Sequence, residues 1–228
     1  TRDEQESTES TEKVDNTDTV AKKAIESQMR PLQDYTTRVS FDPKLDEELY
    51  LVGVGVRKKS ILSVYAVSMY SSIDVIEKLS HLQSGKHHRQ DASRSLGMAA
   101  RTFGPSASMT TFVLEMVYSV GAEKIAGAIA DGVKPRYIGA PSDVNALESL
   151  IIDGVNRKGG TASKGTVFRF DCSESGVSVT VDGTLQGMAN FEGIGSAFVD
   201  VFMDNNAVST SLVESCLNTW VGVSLGLY

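Results

Sequence analysis

Alternating apolar and polar positions predict a β-hairpin in the first third of the chain. Residues 49–57 (LYLVGVGVR) alternate with the period of two that is typical of a strand. Residues 61–70 (ILSVYAVSMY) have the composition of its partner, and Lys58, Lys59 and Ser60 would form the short turn between them. A central strand is predicted over residues 110–120, and a second hairpin over residues 166–172 and 177–182.

Apolar residues at helical spacing predict helices between and after these strands. Ser72 could cap the first helix, and Ser211 and Glu214 have the spacing of a capping box at the start of the last one. The strands occur in pairs and do not alternate strictly with helices. This order favours an α+β class, in which an antiparallel sheet carries helices on one face. The apolar helix positions are Ile73, Ile76, Leu79; Leu96; Ala122, Ile125, Ile129, Val133; Val144, Leu147, Ile151; Ile194, Phe198, Val201, Phe202; and Leu212, Cys216, Leu217, Trp220.

Two parts of the chain differ in composition. Residues 1–18 are polar and acidic, and they offer too little apolar surface to offset the entropy of ordering, so we expect a disordered acidic tail. Residues 19–228 have the composition of a single globular domain. No apolar run approaches the roughly 18 residues that span a bilayer, so we expect no transmembrane segment.

Charge and residue usage narrow the functional class. The net charge of −7 argues against a nucleic-acid partner, which requires a concentrated basic surface. Cys172 and Cys216 lack metal-ligand spacing, so no zinc site is expected, and they are interpreted as two buried thiols, with a disulfide between them as the alternative. No metal and no cofactor are expected. The histidines at 81, 87 and 88 have no evident orienting partner, and a GxSxG nucleophile elbow is absent. We therefore assign no catalytic residue.

Arg57 and Tyr65 are the candidate ligand-binding residues. Gly53 and Gly55 begin like a dinucleotide fingerprint, but the third glycine and the following helix are missing, so that interpretation is rejected. If the hairpin pairs Arg57 near Ile61, odd-numbered residues of both strands share one face, with Tyr65 opposite Gly53. That face would have two gaps at the glycines, an arginine at one end and a phenol further in, which suits a carboxylate.

The alternative for Arg57 is a turn arginine, either solvated or paired with a surface acid. The assumed register also matters, because a slip of one residue would place Arg57 and Tyr65 on opposite faces.

Residues 51–70 (LVGVGVRKKSILSVYAVSMY) resemble the chalcone isomerase superfamily, in which a GxGxR strand precedes a strand with an Ala-x-Gly-x-Tyr ending. The resemblance continues through residues 166–183 and 196–217 and covers most of residues 36–222. It implies an open-faced sandwich, with an antiparallel sheet covered by a layer of helices. The matching positions are Gly53, Gly55, Arg57, Ala66 and Tyr70, whereas Ser68 replaces the usual glycine.

The resemblance also bears on activity. Enzymes of the superfamily surround a flavonoid with an arginine, a threonine, a tyrosine, an asparagine and a second threonine, and only the arginine is kept here, as Arg57. Tyr65 stands at the first threonine position, and Lys124, Asp131 and Val201 stand at the other three. The resemblance therefore implies that flavonoid cyclisation is lost. Arg57 with Tyr65 is similar to the carboxylate-binding pair of the fatty-acid-binding members, which are plastid proteins in plants.

Three hypotheses follow for the function. The first is non-catalytic binding of a fatty acid or similar lipid carboxylate by Arg57 and Tyr65, in a pocket between sheet and helices. The second is an isomerase with an altered substrate, in which Arg57 is an electrostatic stabiliser and Tyr65 an acid or base. A polar pocket with Lys124 and Asp131 converging on Arg57 would favour this second hypothesis. The third is a structural or assembly subunit whose pocket has collapsed. The resemblance suggests a plastid location, with another intracellular compartment as the alternative.

Overall fold

The computed structural model describes residues 23, 26–27, 29–46, 48–81, 89–102 and 110–220. The predicted acidic tail, residues 1–18, lies outside the described residues. Within the described ranges, no helix is long and apolar enough to cross a membrane.

Seven antiparallel strands form a curled sheet in the order β11-β10-β9-β6-β5-β4-β3. Strand β6 lies at its centre, as the sequence predicts. Two short strand pairs, β1 with β2 and β7 with β8, lie outside it. The strands are β1 Leu32–Gln33, β2 Ser40–Phe41, β3 Lys44–Leu45, β4 Leu49–Lys59, β5 Leu62–Ser71, β6 Thr110–Met116, β7 Val120–Gly121, β8 Thr161–Ala162, β9 Val167–Ser173, β10 Gly176–Val181 and β11 Thr184–Ala189.

Helices cover one face of the sheet and enclose the main core. Phe112 of β6 stacks on Phe202 with ring centroids 4.5 Å apart, and Phe170 of β9 lies 4.7 Å from Phe198. These four rings are fully buried, so they join the sheet centre to the helix layer. The predicted α+β architecture is confirmed. The helices are α1 Ile73–Ser80, α2 Arg89–Arg101, α3 Ala122–Val133, α4 Pro141–Asn156, α5 Ile194–Met203 and α6 Thr210–Trp220.

A β-bulge in β4 changes which residues face the helices. The register with β5 shifts between Leu51 and Gly53, so one extra residue is inserted there. Before the bulge, Tyr50 and Val52 point into the main core; after it, the odd-numbered residues do. The prediction that Leu51 shares a face with Gly53 was therefore wrong, because Leu51 packs in a smaller cluster on the opposite face.

Helix α6 lies directly on β4 over its two glycines. A Cβ atom at Gly53 would lie 2.6 Å from the backbone N of Cys216, and one at Gly55 would lie 2.7 Å from the Cα of Leu212. Both distances are shorter than real Cβ contacts allow, so only glycine permits this approach. The gaps predicted at the glycines are filled by the helix backbone and are not open to a ligand.

Serine side chains of α6 and the loop before it bind the free edge of β4. Strand β3 pairs only with the first residues of β4, which leaves the rest of that edge without a neighbouring strand. The backbone N–H groups of Val54 and Val56 donate to the Oγ atoms of Ser215 (3.0 Å) and Ser211 (3.1 Å). The Ser209 hydroxyl donates to the carbonyl of Val56 at 2.9 Å. Hydroxyl groups thus replace the hydrogen bonds of a missing strand.

Two local predictions need correction. Helix α6 is capped by Ser209 and not by Ser211, because the backbone N–H of Leu212 donates to Ser209 Oγ (3.4 Å) while the Ser211 hydroxyl is used by β4. Strand β11 was not predicted. It follows a turn at Asp182 and Gly183, both with positive φ, which is the Asp-Gly signal of a tight hairpin.

We expect Gly55→Ala to destabilise the protein by about 1–3 kcal/mol or more, because the new methyl group meets the backbone of α6 and forces the helix off the sheet. The matched control is Gly127→Ala within α3, whose Cβ would make an ordinary 3.5 Å contact with the Glu148 side chain. Removing a helix-interior glycine there should stabilise by roughly 0.5–1 kcal/mol. Urea unfolding measures both, and equal stability of the two variants would contradict the close approach of α6.

Candidate functional site

The hairpin of β4 and β5 places Arg57 and Tyr65 directly opposite each other. Their Cα atoms are register partners, as are Gly55 with Val67 and Gly53 with Met69. The predicted register, with Arg57 near Ile61 and Tyr65 opposite Gly53, was wrong by four residues. Because the shift is an even number of residues, Arg57 and Tyr65 still share one face of the sheet.

Arg57 is half-buried at the end of the glycine-containing stretch of β4. Its Nη1 atom donates a hydrogen bond to the carbonyl of Val208, in the loop before α6, at 3.1 Å. Arg57 makes no ion pair with any residue that the structure describes, so a surface acid does not neutralise it there. A guanidinium carries five N–H donors in a planar fork, which leaves donors for a further acceptor.

Tyr65 is buried beside Arg57. Its side chain is 6% exposed and belongs to the main core, and Met116 of β6 is its neighbour across the sheet. Burial raises the pKa of the Tyr65 hydroxyl, and the nearby positive charge of Arg57 opposes part of that rise. The phenol is therefore neutral at physiological pH and can donate a hydrogen bond. Among the described residues, its hydroxyl has no hydrogen-bond partner.

The positions that would correspond to an isomerase site do not gather around Arg57. Lys124 and Asp131 lie on the exposed side of α3, and Asp131 forms an ion pair with Lys134 at 3.1 Å. Val201 is buried in the core, against Gly132. The convergence of Lys124 and Asp131 on Arg57, which would favour the isomerase hypothesis, is absent among these residues.

A cavity of about 970 Å³ lies elsewhere, between α6, the start of β4 and the segment that contains β1. Neither Arg57 nor Tyr65 lines it. Its lining contains two acidic residues, Asp34 and Glu214, and one basic residue, Arg30, so the charged residues sum to −1 and do not favour a ligand carboxylate. Because Arg57 and Tyr65 also lie outside the lining, we do not assign the carboxylate site to this cavity.

Val208 was not predicted as a site residue, although its carbonyl, in the loop before α6, holds Arg57. The only local signal was the pair Ser211 and Ser215, spaced to face one side of a helix. The two cysteines are free and buried, as predicted. In the described part of the chain, no group of three or more His, Cys, Asp or Glu residues could hold a metal ion.

The raised pKa of Tyr65 should make the free energy of unfolding decrease at alkaline pH. The unfolded chain loses the phenolic proton near pH 10, whereas the folded protein keeps it. The stabilisation is complete below about pH 10 and is lost as the pH rises, by about 1.4 kcal/mol per pH unit. In Tyr65→Phe the free energy of unfolding should therefore fall less steeply with pH. The difference in slope should correspond to one proton, which is about 1.4 kcal/mol per pH unit.

Urea unfolding between about pH 9 and pH 11 measures this slope. The control is Tyr35→Phe, which removes the hydroxyl of a side chain that is 94% exposed and should leave the slope as it is. An identical slope in wild type and Tyr65→Phe would mean that the Tyr65 phenol is hydrated in the folded protein.

Comparisons with known proteins establish the fold. No family model matches the sequence, and no curated protein matches it. The structure is similar to the crystal structure of a fatty-acid binding protein from Arabidopsis thaliana, with a TM-score of 0.64 and 20% sequence identity, over 87% of this chain and 98% of that one. At that identity the likeness shows the fold alone. The chain therefore has the predicted chalcone isomerase-like fold, a curled antiparallel sheet with helices on one face.

Proposed function

We propose that this protein binds a fatty acid or a similar long-chain carboxylate without transforming it, with Arg57 and Tyr65 holding the carboxylate. The proposal rests on Arg57, a half-buried guanidinium whose hydrogen bond in the described structure goes to a neutral carbonyl. Burial removes part of the hydration of a cation, and a counter-charge normally compensates for that loss. No described residue supplies one, and a ligand carboxylate would.

The arrangement of the two side chains supports a carboxylate in particular. Arg57 and Tyr65 are cross-strand partners on one face of the sheet, so their side chains start roughly 5 Å apart. The guanidinium fork can donate two parallel hydrogen bonds to the two carboxylate oxygens, and the neutral phenol can donate a third. An ester or an alcohol would accept fewer charge-assisted bonds from the same pair.

The acyl chain would extend from this headgroup site along the inner face of the sheet. Val67, Met69 and Met116 continue that face beyond Tyr65, and all three are buried. Methionine side chains are unbranched and flexible, so they can rearrange around an acyl chain. The fold likeness to the fatty-acid binding protein from Arabidopsis thaliana agrees with this proposal at the level of architecture.

We expect Arg57→Ala to weaken binding of palmitate by about ten- to a hundredfold, because a charge-assisted hydrogen bond contributes roughly 1.5–3 kcal/mol. Arg57→Lys should recover only part of the affinity, since an ammonium group lacks the fork. Tyr65→Phe should cost roughly 0.5–1.5 kcal/mol, the value of one neutral bond. Displacement of a fluorescent fatty acid measures all three variants.

Two controls separate the headgroup site from apolar binding. Palmitate methyl ester should bind the wild type weakly and lose little further affinity in Arg57→Ala. Arg94→Ala removes an exposed arginine on α2 and should leave palmitate affinity unchanged. Equal affinity for acid and ester, or wild-type affinity in Arg57→Ala, would show that Arg57 is only a turn residue.

A further inference from the structure

Three chain segments meet at the end of the sheet next to Arg57, and we call them the sheet tip: residues 58–63, 117–121 and 163–166. The backbone N–H groups of Val117 and Tyr118 donate to the carbonyl of Val64 (3.0 and 3.3 Å), the residue directly after the first segment, and so hold the second segment next to it. The N–H of Lys164 donates to Ser119 Oγ at 3.3 Å, which ties the third segment to the second. The tip is therefore one continuous surface.

The sheet tip is basic in an acidic protein. The whole chain has a net charge of −7, yet the three segments contain three lysines and no acidic residue. Glu115 and Glu123 flank the second segment but lie in β6 and α3. The three lysines are exposed, and none makes an ion pair with a described residue. The lysines are Lys58, Lys59 and Lys164.

The same surface exposes large apolar side chains. Ile61 occupies the hairpin turn and is 99% exposed; Leu62 beside it is 42% exposed, and Tyr118 is 50% exposed. An aliphatic side chain at an exposed turn gains nothing within the folded chain, because it contacts water on all sides. Exposed apolar side chains with lysine and tyrosine neighbours suit the interface of a bilayer. There the apolar groups enter the boundary of the acyl chains, and the ammonium groups stay at the lipid headgroups.

We propose that the sheet tip docks the protein on a membrane surface that contains anionic phospholipids. The chemistry favours a bilayer over a nucleic acid, because three lysines around exposed apolar side chains do not form an extended basic surface that could bind a phosphate backbone. Docking there would bring the Arg57 end of the sheet to the membrane, where long-chain carboxylates partition. The proposal rests on the tip itself, and vesicle binding can be measured with no fatty acid present.

Sedimentation of the full chain with vesicles tests the charge component. The wild type should bind mixed phosphatidylcholine–phosphatidylglycerol vesicles more tightly than phosphatidylcholine alone, and added salt should release it. The double variant Lys58→Gln/Lys59→Gln should lose about 30-fold in affinity, from about 1 kcal/mol for each lysine. The control Lys78→Gln/Lys134→Gln changes the net charge equally on exposed residues outside the tip and should bind as the wild type does.

Tryptophan scanning tests the apolar component directly. Vesicles with brominated acyl chains should quench the fluorescence of the tryptophan introduced by Ile61→Trp. They should not quench the tryptophan introduced by Ile138→Trp, which is at an equally exposed position outside the tip. Both positions are fully exposed, so neither variant disturbs the core. The proposal would be overturned by equal quenching at the two positions, by an equal loss of vesicle affinity in the two double lysine variants, or by the absence of a preference for anionic vesicles.

Fatty-acid affinity without vesicles distinguishes this proposal from the carboxylate site. The lysine variants should keep wild-type affinity for palmitate in buffer, whereas Arg57→Ala should lose it. Vesicle binding that fails while palmitate binding holds would reject only the docking surface, and the reverse result would reject only the carboxylate site.

Discussion

Helix α6 can lie on β4 because two successive helix-facing positions of that strand, Gly53 and Gly55, have no side chain. This approach brings Ser211 and Ser215 to the backbone N–H groups that β4 would otherwise leave unpaired. It also sets the position of the loop before the helix, and with it the Val208 carbonyl that holds Arg57. The candidate site therefore depends on a contact made by the last described helix of the chain.

The hydrogen-bond acceptor of Arg57 determines whether the positive charge of its guanidinium group is neutralised. A backbone carbonyl orients the guanidinium but does not neutralise it, whereas an aspartate at the same place would form a closed ion pair. Arg136 and Arg169 show the second arrangement, since Arg136 pairs with Asp204 at 2.8 Å and Arg169 pairs with Asp46 at 2.6 Å. Those two arginines connect parts of the fold. Arg57, in contrast, has no ion-pair partner among the described residues.

Local patterns predicted the hairpin and the common face of Arg57 and Tyr65, because side-chain alternation depends only on whether a register shift is odd or even. They failed for Leu51, since a bulge inserts one residue without a distinctive local composition. They also failed to predict that the backbone of α6 fills the gaps at Gly53 and Gly55. The residues that fill those gaps lie about 160 positions away, as the bond from Val54 to Ser215 shows, and no periodicity reports such a contact. The Asp182-Gly183 turn was readable from sequence and would have revealed β11.

The serine hydroxyl groups along β4 also affect how copies of this protein meet each other. An unpaired strand edge can accept a strand from another molecule, which is how sheet proteins begin to polymerise. Here the amide groups of Val54 and Val56 already have acceptors within the chain, and the helix that provides both of them covers the approach. A second molecule would first have to strip α6 from the sheet, so strand exchange at this edge is blocked for as long as the last helix stays in place.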